Sequence, residues 1–390
     1  MLFSRNISIL LILRAVRWFL VVMPIITIFY QRHGLSMQEI FLIQSVFSIG
    51  VVLFEVPTGY FADVIGRKQS LIIGMLFAII GLALYAFSHE FWGFLCAELI
   101  LGLGSSFISG TDSAMIYDTL IDEGHEGKNK KIQGYLQSVS SISESLASLL
   151  GGFLAVISIS LPFYVELGVF VMFFPLVFLL KEPNRHKHKN AEGILRGITK
   201  IVRYSLHEHK EIKWLIIFSG FFGSSTLVMT WLLQLYFTKV GVPLQYFGAI
   251  WMIFNLSIIP FSFLAHKIEG LLGWKYSLIL LSLLPALGYF FLGFFQSIIG
   301  LIFVFFFYIA RGFGSVILND YVNTLISSDI RATVLSVQAL AFRGVFSVIG
   351  PIIGWITDAT SMRISLFVAG FIFLMSTLSS LFFLGKNKSF

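Results

Sequence analysis

Long apolar runs separated by short polar breaks dominate the chain. In order they cover 7–30, 38–62, 70–87, 91–118, 132–157, 162–180, 212–237, 244–265, 276–294, 298–320, 332–356 and 364–384. Each is long enough to cross a hydrocarbon layer of roughly 30 Å as a helix rising about 1.5 Å per residue. The twelve runs recur about once per 32 residues, the length of one spanning helix and its turn. The pattern predicts an all-α integral membrane protein with twelve transmembrane helices.

Composition narrows the class. Of 390 residues, 57% are hydrophobic and 12% charged, about half the charge of an ordinary soluble chain. Too few charges remain to cover a water-soluble protein of this size, which excludes a soluble enzyme, a coiled coil, a disordered chain and a disulfide scaffold. The single cysteine, Cys96, lies within an apolar run and has no internal partner. The first run continues to Tyr30 without a cleavage signature, so a first span is expected rather than a signal peptide.

The net charge of +7 would fit nucleic acid, but its placement points to lipid headgroups instead. With the N-terminus inside, 20 of the 27 Lys and Arg fall in cytoplasmic ends and loops, against Arg32, Lys239 and Arg363 outside. This positive-inside bias predicts a multi-pass inner-membrane protein with both termini cytoplasmic. The expected domains are 1–181 and 212–390, each a six-helix bundle, joined by a cytoplasmic linker, 182–211. In that linker Ile194, Leu195, Ile198, Ile201, Val202 and Leu206 recur at helical spacing between basic residues, as in an interfacial helix; a flexible polar linker is the alternative. The pairs His186-x-His188 and His207-x-His209 need no metal in a solvated basic loop, and no metal or cofactor is expected.

Traces of a repeat support the two-bundle layout. Tyr117-Asp118-Thr119-Leu120-Ile121 ends the fourth run, and Val322-Asn323-Thr324-Leu325-Ile326 follows the tenth. Leu136-Gln137-Ser138-Val139 and Gly151-Gly152 in the fifth run echo Leu335-Ser336-Val337 and Gly350-Pro351 in the eleventh. Such repeats around a central site give many secondary transporters their two alternating states.

The most specific motif is Gly59-Tyr60-Phe61-Ala62-Asp63-Val64-Ile65-Gly66-Arg67-Lys68, a short turn between the second and third runs. Gly59 would permit close helix approach and Gly66 a tight turn. Asp63 can cap or pair at the membrane edge, and Arg67 and Lys68 meet headgroups. The segment resembles the signature loop of the major facilitator superfamily, and Phe54-Glu55-Val56-Pro57-Thr58-Gly59 is similar to its bacterial efflux-type, drug/proton antiporter members. The resemblance implies twelve helices in two pseudo-symmetric bundles and a gating latch formed by Gly59, Asp63, Gly66, Arg67 and Lys68. The chain also departs from the family. The loop after the eighth run has His266 where the acid is expected. Glu98 stands nearest the family's fourth-span Arg, ahead of Gly102-Leu103-Gly104. The glycine-rich antiporter pattern is short at Gly151-Gly152 and fuller at Ser347 to Gly354.

Ionisable groups within spans are the default functional candidates, because lipid makes them costly. Arg17, Glu144 and Arg343 each lie 12 residues from a span end marked by Arg5, Ile132 or Arg331, about 18 Å along the axis and near mid-bilayer. They form the expected cavity constellation, with an Arg17–Glu144 pair in which Glu144 is either the proton switch or a fixed structural partner. Arg14, one turn from Arg17, joins the cavity set. Asp112, in the polar patch Gly110-Thr111-Asp112-Ser113, is the other proton candidate or a partner of Arg14; Glu98 is a third. Asn255 and Gln338 are expected to line the cavity. Glu55 before Pro57 suits gating, since proline frees helix carbonyls. Arg311 and Asp320 read as a gating pair. The Phe-rich run Phe303 to Phe307 reads as lipid-facing.

These features predict a secondary active transporter with alternating access, a monomer in the bilayer. It would export small organic or amphipathic solutes with protons as the coupling ion. A transporter of a specific anionic metabolite and a non-transporting sensor or scaffold remain alternatives. No nucleotide-binding loop or catalytic cluster points to an enzyme.

Overall fold

The computed structural model describes residues 4–183, 209–326 and 330–387. The described residues form helices and no strands: α1 Arg5–Arg17, α2 Ile26–Arg32, α3 Met37–Val64, α4 Arg67–Phe87, α5 Phe91–Ile108, α6 Thr111–Asp122, α7 Asn129–Ile157, α8 Leu161–Phe173, α9 Lys210–Lys239, α10 Phe247–Phe294, α11 Phe305–Leu325, α12 Arg331–Ala359 and α13 Met362–Asn387. The interfacial helix expected from Ile194 to Leu206 lies outside the described residues, as do His186, His188 and His207.

Ten stretches of the described chain are long and apolar enough to cross a membrane. One of them, Leu244–Phe294, holds two runs: its helix breaks at Gly273, whose φ of 73° suits glycine. The first run is absent from the ten because it is not one helix. It divides into α1 and α2, with 18–25 non-helical between them. The twelve runs are thereby accounted for. Phe263, Leu271, Ile157, Met172 and Phe87 are each more than 70% exposed, as a lipid-facing surface requires.

Two compact units emerge. One comprises 4–35, 46–183 and 244–252. On α1, Ile9, Leu13 and Val16, and on α4, Leu71, Met75, Ala78 and Leu82, are buried at three- and four-residue spacing, the period of one helix face. Packing in lipid rests on close contact rather than water exclusion, so small residues sit where helices cross. At the α4–α5 crossing a Cβ on Gly104 would lie 2.8 Å from the Gly74 carbonyl oxygen.

The other unit comprises 36–45, 209–243, 253–326 and 330–387. Its core gathers Ile212, Leu215 and Phe222 of α9 with Leu278, Phe313 and Val337. The first turns of α3 belong here. The Asp358 carboxylate accepts from the Met37 and Gln38 amides at 2.9 and 2.7 Å. Gly354 leaves no room for a side chain against the Met37 carbonyl, 2.7 Å from its ideal Cβ. The Phe-rich run corrects a sequence expectation. Phe307 is 1% exposed and packs edge-on against Tyr289 at 4.8 Å, so lipid-facing does not describe that residue.

Candidate functional site

The charged centre of the first unit arises where two spans are interrupted. In the first, α1 ends with Arg14 and Arg17 in its last turn. In the fourth, α5 stops at Ile108, Gly110 takes φ 74°, and α6 restarts with Asp112 in its first turn. Helix C-termini favour cations and N-termini favour anions. Each charge is therefore matched to its own helix end before it meets its partner. The Arg14 guanidinium donates to Asp112 at 2.7 Å and to the Ser140 hydroxyl at 2.9 Å, and lies 5.6 Å from the Trp18 ring centre. Arg17 lies 3.7 Å from the same carboxylate and donates to Ser105 at 3.2 Å. Beside them Leu10, Leu13, Leu71, Met75, Ile108 and Phe170 enclose about 20 Å³, room for a single water.

Asp112, which sequence had offered as a partner for Arg14, thus lies beside Arg17 as well. Glu144 is half-buried midway along α7, where its carbonyl accepts from Ser148 at 2.7 Å. Glu98 is 6% exposed and receives the Tyr85 hydroxyl at 2.6 Å; the Tyr30 and Tyr85 hydroxyls also bond to each other. Sequence reasoning missed both tyrosines, which look like ordinary aromatic residues of apolar runs. It also missed Glu166 on α8, 3% exposed, whose carboxylate accepts from the Val22 amide at 3.0 Å in the α1–α2 break. An intramembrane Glu was the available signal.

The turn between α3 and α4 is built around Arg67, which pairs with Asp63 at 2.7 Å and Asp118 at 3.4 Å. Glu182 accepts from the Arg67 and Lys68 amides, both at 2.8 Å, capping α4. The Lys68 ammonium donates to the Phe178 carbonyl at 2.7 Å. Gly66 has φ 151°, as its tight turn demanded. Gly59 differs from expectation: among the described residues nothing stands within 4 Å of its ideal Cβ, so it makes no close approach to them. Glu55 is half-buried, and after Pro57 the Thr58 hydroxyl donates to the Phe54 carbonyl at 2.8 Å and across to Ser106 at 3.0 Å.

In the second unit Arg343, Asn255 and Gln338 are half-buried. Arg311 and Asp320 do not pair. Their offset of nine positions is about 13 Å along the helix; Arg311 lies 5.6 Å from the Tyr308 ring centre. Asp320 instead lines a cavity of about 550 Å³ with Glu211, Glu269, Trp274 and Tyr321, where the Tyr321 hydroxyl donates to Glu269 at 3.0 Å. Among the described residues no cluster of His, Cys, Asp and Glu could hold a metal.

Apolar spans in two helical units, with an ionic cluster at interrupted helices, define a multi-span helical membrane protein. The chain belongs to the Major Facilitator Superfamily, whose pattern matches residues 7–351. It is 22% identical over 208 residues to the quinolone resistance protein NorA of Staphylococcus aureus (strain MRSA252), a match covering 53% of this chain and 52% of that one. The chain thus spans about half the length of that relative. Among solved structures it resembles the nucleoside transporter NupG (TM-score 0.79, 14% identity, 99% and 100% of the two chains). It also resembles a D-xylose-proton symporter (TM-score 0.71, 15% identity, 97% and 96%). At such identities the likeness shows the fold alone.

Proposed function

We propose that the chain is a proton-coupled exporter of small organic or amphipathic solutes, a monomer in the inner membrane with both termini cytoplasmic. The observation that carries this reading is the Arg14–Asp112–Arg17 cluster at the ends of two interrupted spans. A solute that draws an arginine away frees the Asp112 carboxylate to take a proton, and proton loss restores the pair. The space of about 20 Å³ beside the cluster suits a water carrying that proton better than a bound solute. The partial likeness to NorA, named for quinolone resistance, favours export of an organic solute.

A second reading keeps the fold and changes the cargo. The candidate cavity cations Arg17, Arg343 and Arg14 are groups that would suit a carboxylate or phosphate on an anionic metabolite.

Proteoliposomes with an imposed pH gradient and a panel of cationic, neutral and anionic solutes test both. Solute-evoked proton movement is expected in the native protein and should be lost in Asp112→Asn. Movement lost in Glu144→Gln but kept in Asp112→Asn would put the proton site on α7. Response to anions alone selects the second reading. No movement with any solute or gradient points to a facilitator or sensor.

A further inference from the structure

The break in the first span has a second carboxylate, and nothing in the charged cluster uses it. Glu166 lies on α8, 3% exposed, and accepts the Val22 amide at 3.0 Å. Val22 stands within 18–25, where the chain leaves α1 and has not yet begun α2. On the other side of the break is α7. A Cβ on Gly151 would collide with the Val21 carbonyl and lie 3.3 Å from the Pro24 ring. The interrupted segment is thus clasped between a glycine and a buried acid.

The counterpart of this span in the second half is α9, an unbroken helix of 30 residues. The break is therefore not a requirement of the fold. It occurs where Glu166 is present to receive an amide that the helix no longer satisfies. A buried acid without an ion-pair partner among the described residues, aimed at an interrupted helix, has the make-up of a protonation site. The titratable and charged groups on the elements packed around α8 include Arg5, Arg14 and Arg17 on α1, Tyr30 and Arg32 on α2, Arg67, Lys68 and Tyr85 on α4, and Lys131, Tyr135 and Glu144 on α7, with Tyr164 on α8 itself. Tyr85 hydrogen-bonds Glu98, and its ring stacks 5.5 Å from Phe163 on α8. Arg14 is committed to Asp112.

We propose that Glu166 is a proton-binding positioning residue: its carboxylate clasps the Val22 amide and fixes the break, and its protonation releases the break so that α1, with Arg14 and Arg17, can shift. One proton is bound to a carboxyl oxygen and one is returned, with no other reactant. The link is chemical. A hydrogen bond to a carboxylate is about twice as strong as one to a neutral acceptor, so protonation weakens the hold on Val22. The inference rests on the proton-coupled reading above, to which it adds a second titrating group acting on the helix that carries the arginines.

Hydrogen exchange by mass spectrometry over peptides covering 18–25 tests it on the full chain in lipid nanodiscs without any solute. After correction for the chemical pH dependence, exchange there should rise about fivefold as pH falls through the titration. The rise should vanish in Glu166→Gln and persist in Glu166→Asp and in Asp112→Asn. A flat profile in the native protein overturns the proposal even if Glu166→Gln fails to fold. So does a rise that survives in Glu166→Gln or is lost in Asp112→Asn. Solute-evoked proton movement in proteoliposomes separates the two readings. If the native protein shows none, the proton-coupled function fails whatever the exchange profile. If native and Glu166→Gln proteins respond alike, only the role of Glu166 fails.

Discussion

Asp112 holds two arginines at unequal distances, 2.7 Å for Arg14 and 3.7 Å for Arg17, and that inequality is measurable. The Asp112 side chain is 11% exposed and those of Arg14 and Arg17 are 19% and 24%, so solvent screens the pairs only in part. Removing Asp112 takes from Arg14 its 2.7 Å carboxylate partner and from Arg17 the same carboxylate, whereas removing one arginine leaves the acid a second partner. Asp112→Asn should therefore lower stability by about 2–4 kcal/mol, and Arg17→Gln by about 1 kcal/mol or less. In double-mutant cycles the coupling of Asp112 with Arg14 should exceed that with Arg17 by about 1 kcal/mol. Thermal unfolding in detergent measures both, and equal couplings would mean that the nearer contact has no special standing. Sequence exposed these charges because lipid makes each one conspicuous. It did not supply their rotational setting. Asp112 joins the arginines only because Gly110 interrupts the fourth span and restarts it with this acid in the first turn.

At the scale of elements, glycines of similar appearance in sequence have opposite consequences. Gly59 belongs to the signature turn, yet a methyl group there meets nothing within 4 Å, whereas at Gly104 it would sit 2.8 Å from the Gly74 carbonyl and at Gly151 it would strike the Val21 carbonyl. Backbone atoms cannot rotate aside as side chains do. Gly104→Ala and Gly151→Ala should each cost about 1–3 kcal/mol, while Gly59→Ala should be neutral or stabilise α3 by about 0.5 kcal/mol, since glycine is a poor helix former. Unfolding temperatures of the three variants check this. If Gly59→Ala abolishes transport in proteoliposomes while leaving the unfolding temperature unchanged, its glycine serves a conformation other than this one. The runs themselves were legible because a spanning helix must be continuous and apolar. The interruption at 18–25 was not, because Trp18, Phe19, Leu20, Val21, Val22, Met23 and Ile25 are as apolar as any helix, and Pro24 was the one local hint. Glu166 went unread for a related reason: its partner is a backbone amide, which every residue type except proline carries.

Across the whole molecule the two halves share a pattern of runs but not a distribution of stiffness. The first half interrupts its first and fourth spans at 18–25 and at Ser109-Gly110; in the second, α9 runs unbroken for 30 residues, and the tenth span passes from a 3-10 turn at Ile298–Val304 directly into the 21 residues of α11. The apolar window of α9 is also 78% buried, the highest share among the spans. Amides outside a continuous ladder open with little free energy, whereas those in a buried helix wait for larger unfolding. At neutral pH, exchange at 18–25 and at Ser109-Gly110 should therefore outpace that in the middle of α9 by at least about a hundredfold. The two interruptions should respond together when Asp112→Asn is introduced, because Arg14 and Arg17 end one broken segment and Asp112 begins the other. Independent responses would mean that the ionic cluster does not link the spans. A joint rise at 18–25 and at Ser109-Gly110 that leaves the middle of α9 unchanged would place the low-energy opening in the interrupted spans of the first half.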